Sequence, residues 1–157
     1  MAANESTKYT HFSNIEVGSA SGGGGFKVGG VQQNLNLVQT VTGALALTAA
    51  DSGKTLILNA AAGANITLPA LSAGLKFKFI VGAAFATTSW TVTSTAGDDL
   101  QGSVIVAGAV VDVDAADVIT FVNTAENVGD FVEVFCDGTS WHTFGNALTV
   151  GGLTATG

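Results

Sequence analysis

The chain has 157 residues, 47% of them hydrophobic, enough for one β-rich body with a buried core rather than a disordered polymer. Twelve acids stand against five Lys and no Arg, a net charge of −7, so neither clustered cations for a nucleic-acid backbone nor a bidentate Arg clamp is available. One cysteine, Cys136, gives no internal disulfide, so the fold does not depend on an oxidising compartment.

The first residues, Met1–Lys8, carry no apolar stretch of the signal-peptide type. Tyr9–Val17 alternates loosely and reads as one short strand, with Tyr9, Phe12, Ile15 and Val17 as apolar anchors. Gly18–Gly25 follows as a seam, because four consecutive glycines, Gly22–Gly25, lose too much backbone freedom to sit in a regular element. Phe26–Val28 is a second short strand, and Phe26 joins the anchors. Gln32–Gln39 is polar and reads as an extended connector. Residues 1–35 are thus expected to form a flexible arm and 36–157 the body. The arm is expected to order on a partner, by packing or by adding a strand to an edge.

From Thr40 the pattern is regular. Leu45–Thr48, Thr55–Leu58, Asn65–Leu68, Leu75–Val81, Trp90–Thr95, Val104–Val106, Val110–Val113, Val118–Val122, Phe131–Phe135 and Trp141–Phe144 all read as strands. They are β-branched or aromatic and separated by Gly, Asp or Asn punctuation, as in a β-sandwich, jelly roll or β-barrel. Ala49–Gly53 and Asn59–Ala64 hold helix formers but are too short for helices. Much of the apolar content is Ala, so a small, Ala-rich core is expected, one that a second subunit would complete. Asp137-Gly138-Thr139-Ser140 reads as a hairpin turn. Alternation then puts Val132, Val134 and Cys136 on a core face, and Phe131, Glu133 and Phe135 on a face suited to a subunit contact.

Chemistry is sparse. Cys136 and His142 lie near each other across the hairpin, but alternation points them to opposite faces, leaving an inert buried thiol. Asp112, Asp114 and Asp117 are dense enough for a weak calcium site but lack the Gly and terminal Glu of a known loop, so a solvated acidic turn is the plainer reading. Asp98-Asp99 reads as turn chemistry. Trp90 and Trp141 would stack on sugars if exposed together, yet each sits in a strand pattern that favours partial burial. No nucleophile–base pair, cofactor loop or metal constellation emerges, and the expectation is a non-enzyme with no cofactor.

Ala50–Ala60, Ile66-Thr67-Leu68-Pro69-Ala70 and Gly74–Val81, with the closing Val128–Val134 and Asp137–His142, resemble patterns in tailed-bacteriophage structural proteins. The nearest resemblance is to the small capsid decoration, or cement, proteins, across about Thr40–Phe144. That resemblance implies a homotrimer on the outer face of the head, bound to the major capsid protein and made in the host cytoplasm. Its arm would grip the capsid protein or a neighbouring subunit. Nucleic acid and membrane are not expected partners. The alternative is a tail or fibre β-module that binds a receptor or carbohydrate.

Overall fold

The computed structural model describes residues 25–28, 31–34, 37–95, 97 and 99–157, and over them the chain is all-β. Strands β1 (Gly25–Val28) and β2 (Val31–Asn34) pair as a small antiparallel hairpin. The chain then enters a two-sheet sandwich by coiling. It runs from β3 (Val38–Val41) to β4 (Leu45–Ala46), β5 (Thr55–Leu58), β6 (Asn65–Thr67), β7 (Lys76–Val81) and β8 (Trp90–Thr93). Odd-numbered strands of this stretch join one sheet and even-numbered strands the other, so each returns beside its predecessor in the same direction. All four neighbouring pairs in the coil are parallel.

The corners carry the ladder onward. Leu47 N–H donates to Thr67 C=O at 2.9 Å, and Leu68 N–H to Thr93 C=O at 2.8 Å. On the other sheet Asn59 N–H reaches Val41 C=O and Gly82 N–H reaches Leu58 C=O. Backbone groups that a turn would leave unpaired are thereby satisfied between stacked corners.

After the coil come β9 (Leu100–Val106), β10 (Ala109–Ala116), β11 (Val118–Phe121), β12 (Phe131–Cys136), β13 (Trp141–Ala147) and β14 (Leu153–Thr156). The larger sheet has the order β10-β9-β13-β12-β7-β5-β3, and the smaller β14-β11-β8-β6-β4. Their facing sides share one core. Leu56, Leu58, Phe77, Phe79, Val132, Val134 and Trp141 meet Ile66, Trp90, Val92, Ile119, Phe121 and Leu153 from the other sheet. Phe77 and Trp141 rings pack at 6.0 Å.

Several sequence expectations change. The core is aromatic rather than Ala-rich: Trp90, Trp141, Phe79, Phe85 and Phe121 are fully buried, whereas Ala116 and Ala147 are its only buried alanines among the described residues. Alanine dominates composition, but it lies mainly in turns and on exposed positions. The Gln32–Gln39 connector is replaced by the ends of β2 and the start of β3. Only Val41 of β3 is buried, so edge hydrogen bonding rather than an apolar pattern makes that strand. β14 was not expected, because Leu153-Thr154-Ala155-Thr156 carries a single large apolar residue. The only helical turn described is a 3-10 turn at Ala49–Asp51. Tyr9–Val17 and the glycine seam up to Gly24 lie outside the described residues, as does Asp98.

The β12–β13 hairpin has the expected turn. Gly138 sits at φ +105°, in the region where a β-branched side chain is strained. Gly138→Val is expected to cost about 1–2 kcal/mol. Urea unfolding checks this, and an unchanged midpoint would refute it.

Candidate interaction surface

The side of the larger sheet that faces away from the core is where Phe131, Phe135 and Phe144 gather with Lys76 and Lys78. Strand register lines them up in rows across the sheet. One row reads Ile80–Phe131–Asn146–Ile105–Val110, from β7 through β12, β13 and β9 to β10. The next reads Lys78–Glu133–Phe144–Ser103–Asp112, and a third Lys76–Phe135–His142–Gln101. Phe144 is 57% exposed, Phe135 45% and Val110 76%. Three large side chains so open to water on one face form a patch that asks for a partner.

Charge on this face is paired at its centre. Lys78 Nζ lies 2.6 Å from Glu133 Oε1 and 4.5 Å from the centroid of the Phe131 ring. The ion pair is worth little in water, about 0–1 kcal/mol, so it shapes the face more than it stabilises the fold. A groove of about 280 Å³ runs between Lys54, Lys76, Lys78, Glu133, Phe135 and Phe144. Lys54 is held at its rim by Asp51, at 2.7 Å, and by Gln39. Burial alone would raise the Asp51 carboxyl, but hydrogen bonds from Lys54 and Thr48 outweigh it and hold the group below the usual carboxylate range.

The hairpin tip closes one end. His142 stacks on Phe135 with ring centroids 6.4 Å apart, and its Nε2–H donates to Asp137 Oδ2 at 2.9 Å. Asp137 Oδ1 also accepts from the Thr139 and Ser140 amides at 2.7 and 2.9 Å. The His142 hydrogen bond first, and these amides next, hold the Asp137 carboxyl far below its ordinary range. A depressed folded-state pKa makes the turn's contribution fully present above the ordinary carboxylate range, and acid removes it only as pH falls through that depressed value.

Of the residues singled out from sequence, Phe131 and Phe135 are brought together here. Phe26 lies in β1, and Tyr9, Phe12, Ile15 and Val17 lie outside the described residues. Ile105 and Val110 complete the patch from strands whose neighbours no local pattern reveals, and Phe144 joins it from the far strand of the hairpin, where alternation from Trp141 turns it outward. Cys136 is fully buried opposite Trp141, while His142 faces out opposite Phe135, so the two point apart as alternation implies. Trp90 and Trp141 are both fully buried, more than the partial burial expected, and offer no sugar platform. Asp112 and Asp114 are exposed on β10. Among the described residues no group of three His, Cys, Asp or Glu side chains is placed to hold a metal ion. No helix of the described residues is long and apolar enough to cross a membrane.

No protein-family model, curated protein or solved structure matches the chain.

Proposed function

We propose that this chain is a structural virion protein, a capsid decoration protein that binds the outer surface of a tailed-phage head and stabilises the shell. Its partners in this reading are the major capsid protein and further copies of itself, arranged as a homotrimer on the particle. The observation that carries the reading is the outer face of the larger sheet. It presents Phe135, Phe144, Ile105 and Val110 to solvent, with Phe131 half-buried beneath Lys78, on a two-sheet scaffold. A surface of that kind gains by burial against another protein at roughly 25 cal/mol per Å² of apolar area. The reading involves no reaction and no cofactor. A net charge of −7 makes nucleic acid an unfavourable partner.

The test is to add purified protein to expanded phage heads and image them by electron microscopy. Saturable density in threes at symmetric sites on the head, with heads that resist heat better than bare ones, is the expected result. Density on the tail, or binding to host-cell glycans with no binding to heads, would replace this reading with the fibre-module alternative.

A further inference from the structure

The outer face has an internal symmetry that concerns the free protein, whatever it decorates. Five of its strands, in the order β7-β12-β13-β9-β10, have β13 in the middle. β7 and β10 each lie two strands from it, about 10 Å at ordinary strand spacing. The charges are not spread evenly over this span. Lys76 and Lys78 stand at the β7 end. Asp112 stands at the β10 end in the row of Lys78, and Asp114 follows it where the β10 pairing breaks its register between Val113 and Ala116. Glu133, between the ends, is already held by Lys78. Apolar residues, Ile80 and Phe131 on one side and Ile105 and Val110 on the other, fill one row from end to end, with Asn146 at its middle.

We infer that two copies of this chain associate face to face through these five strands, about a twofold axis running along β13. Such an axis reverses the strand order of the second copy while keeping each row opposite itself. Lys78 then meets the partner's Asp112, and Lys76 comes over the partner's Asp114. Ile80 meets the partner's Val110, Phe131 meets the partner's Ile105, and Phe144 meets its own mate on the axis. Each pairing occurs twice, as an isologous interface requires.

Sheet twist separates two stacked faces at their corners. Lys76 and Lys78 stand two strands out from the axis, where the faces diverge, and their long side chains have the reach to close the gap. The centre holds the aromatic contact. This arrangement sets the cationic end of the face against its acidic end. In a chain of five cations and twelve acids, that complementarity selects a second copy. The face is small beside a standard interface, so the dimer is expected to be of micromolar rather than nanomolar affinity.

Sedimentation of the full chain over a range up to about 100 µM reads this directly. The wild type is expected to show a reversible monomer–dimer equilibrium that weakens with salt. Lys76→Glu with Lys78→Glu, and separately Asp112→Lys with Asp114→Lys, are each expected to raise the dissociation constant at least about tenfold. An equimolar mixture of the two variants is expected to restore the dimer, because every reversed charge then meets its opposite. Phe144→Cys alone is expected to give a covalent dimer with a short bifunctional thiol cross-linker, since only a residue near the axis can reach its own mate and faces stacked at about 10 Å are too far apart for a direct disulfide. Cys136 is fully buried and stays out of the reaction. A wild-type monomer throughout the range, undiminished association of either charge variant, failure of the mixture to restore it, or no Phe144→Cys dimer would overturn the inference. Heads and a second copy compete for this face, so protein that fails to bind heads even well below the dimer's dissociation constant, where the face is free, would sink the capsid reading and leave this one standing.

Discussion

Gly102→Ala is expected to lower stability by about 3 kcal/mol or more, and Gly102→Val by more still. Gly102 lies in β9 at φ +139°, opposite Thr143 in the parallel β9–β13 pairing. A Cβ built there would stand 2.2 Å from the Thr143 carbonyl oxygen and 3.1 Å from its carbonyl carbon and amide nitrogen. These are backbone atoms of a strand whose other edge pairs with β12, so they cannot swing aside as a side-chain tip would. On its far side β9 faces the register break between Val113 and Ala116, with Ala115 at φ 48°. An extra residue at a bulge bends the strand and tightens its twist, which fits the close approach of β9 to β13 at this point.

Gly108→Ala supplies the control. Gly108 has φ +80° but nothing within 4 Å of an added Cβ, so its substitution carries backbone strain without a collision and is expected to cost about 1 kcal/mol. Thermal unfolding separates the two. For a chain of this size a loss of 3 kcal/mol moves the midpoint by roughly 10 °C. Equal shifts for the two variants would mean that the close approach to Thr143 is not what the glycine serves.

Gly102 also marks where sequence reading stops. The strand pattern of Val104–Val106 is clear because alternate residues are buried, and it places Gly102 outside as punctuation. The strand in fact begins at Leu100, and what extends it is hydrogen bonding to β13, 41 residues along the chain (Trp141 opposite Leu100). The same division runs through the molecule. β5, β7 and β12 are legible, since Leu56 and Leu58, Phe77 and Phe79, and Val132 and Val134 alternate with outward residues on half-buried strands. β3 and β14 are edge strands with one buried residue each, and their existence depends on a neighbour. The coil of parallel strands is likewise hidden, because its turns differ in length and carry no repeated motif.

The interaction surface was half legible for the same reason. Parity places Phe131, Glu133 and Phe135 on one face of a hairpin, and that much needs no neighbour. That Lys78 lies beside Glu133, and Asp112 at the end of the same row, follows only once five strands drawn from residues 76 to 147 are set side by side. Asp112 and Asp114, weighed from sequence as cation ligands, gain a different meaning from their distance to the lysines. Complementarity across a sheet is a property of register, and register is not written in any one segment.

Asp130→Ala is expected to destabilise the fold by about 3–4 kcal/mol, with β14 the first element to loosen. Asp130 is only 3% exposed. Its Oδ2 accepts from Asn127 N–H at 2.8 Å and its Oδ1 from Leu148 N–H at 2.9 Å. The two amides belong to the loops that carry the chain from β11 to β12 and from β13 to β14, the last two crossings between the sheets. One carboxylate therefore fastens both crossings. The backbone at the same residue continues the join, with Val81 N–H donating to Asp130 C=O at 2.9 Å. Alanine would leave two amides in part-buried surroundings without this acceptor. Asp130→Asn keeps one acceptor oxygen and is expected to lose about half as much. β14 pairs only with β11, at the sheet's edge, so the Leu148 contact holds its entry. Amide hydrogen exchange in Asp130→Ala is expected to quicken across Leu153–Thr156 before it quickens in β12 or β13. Equal losses for the Ala and Asn variants, or unaltered protection in β14, would show that the carboxylate does not carry this join.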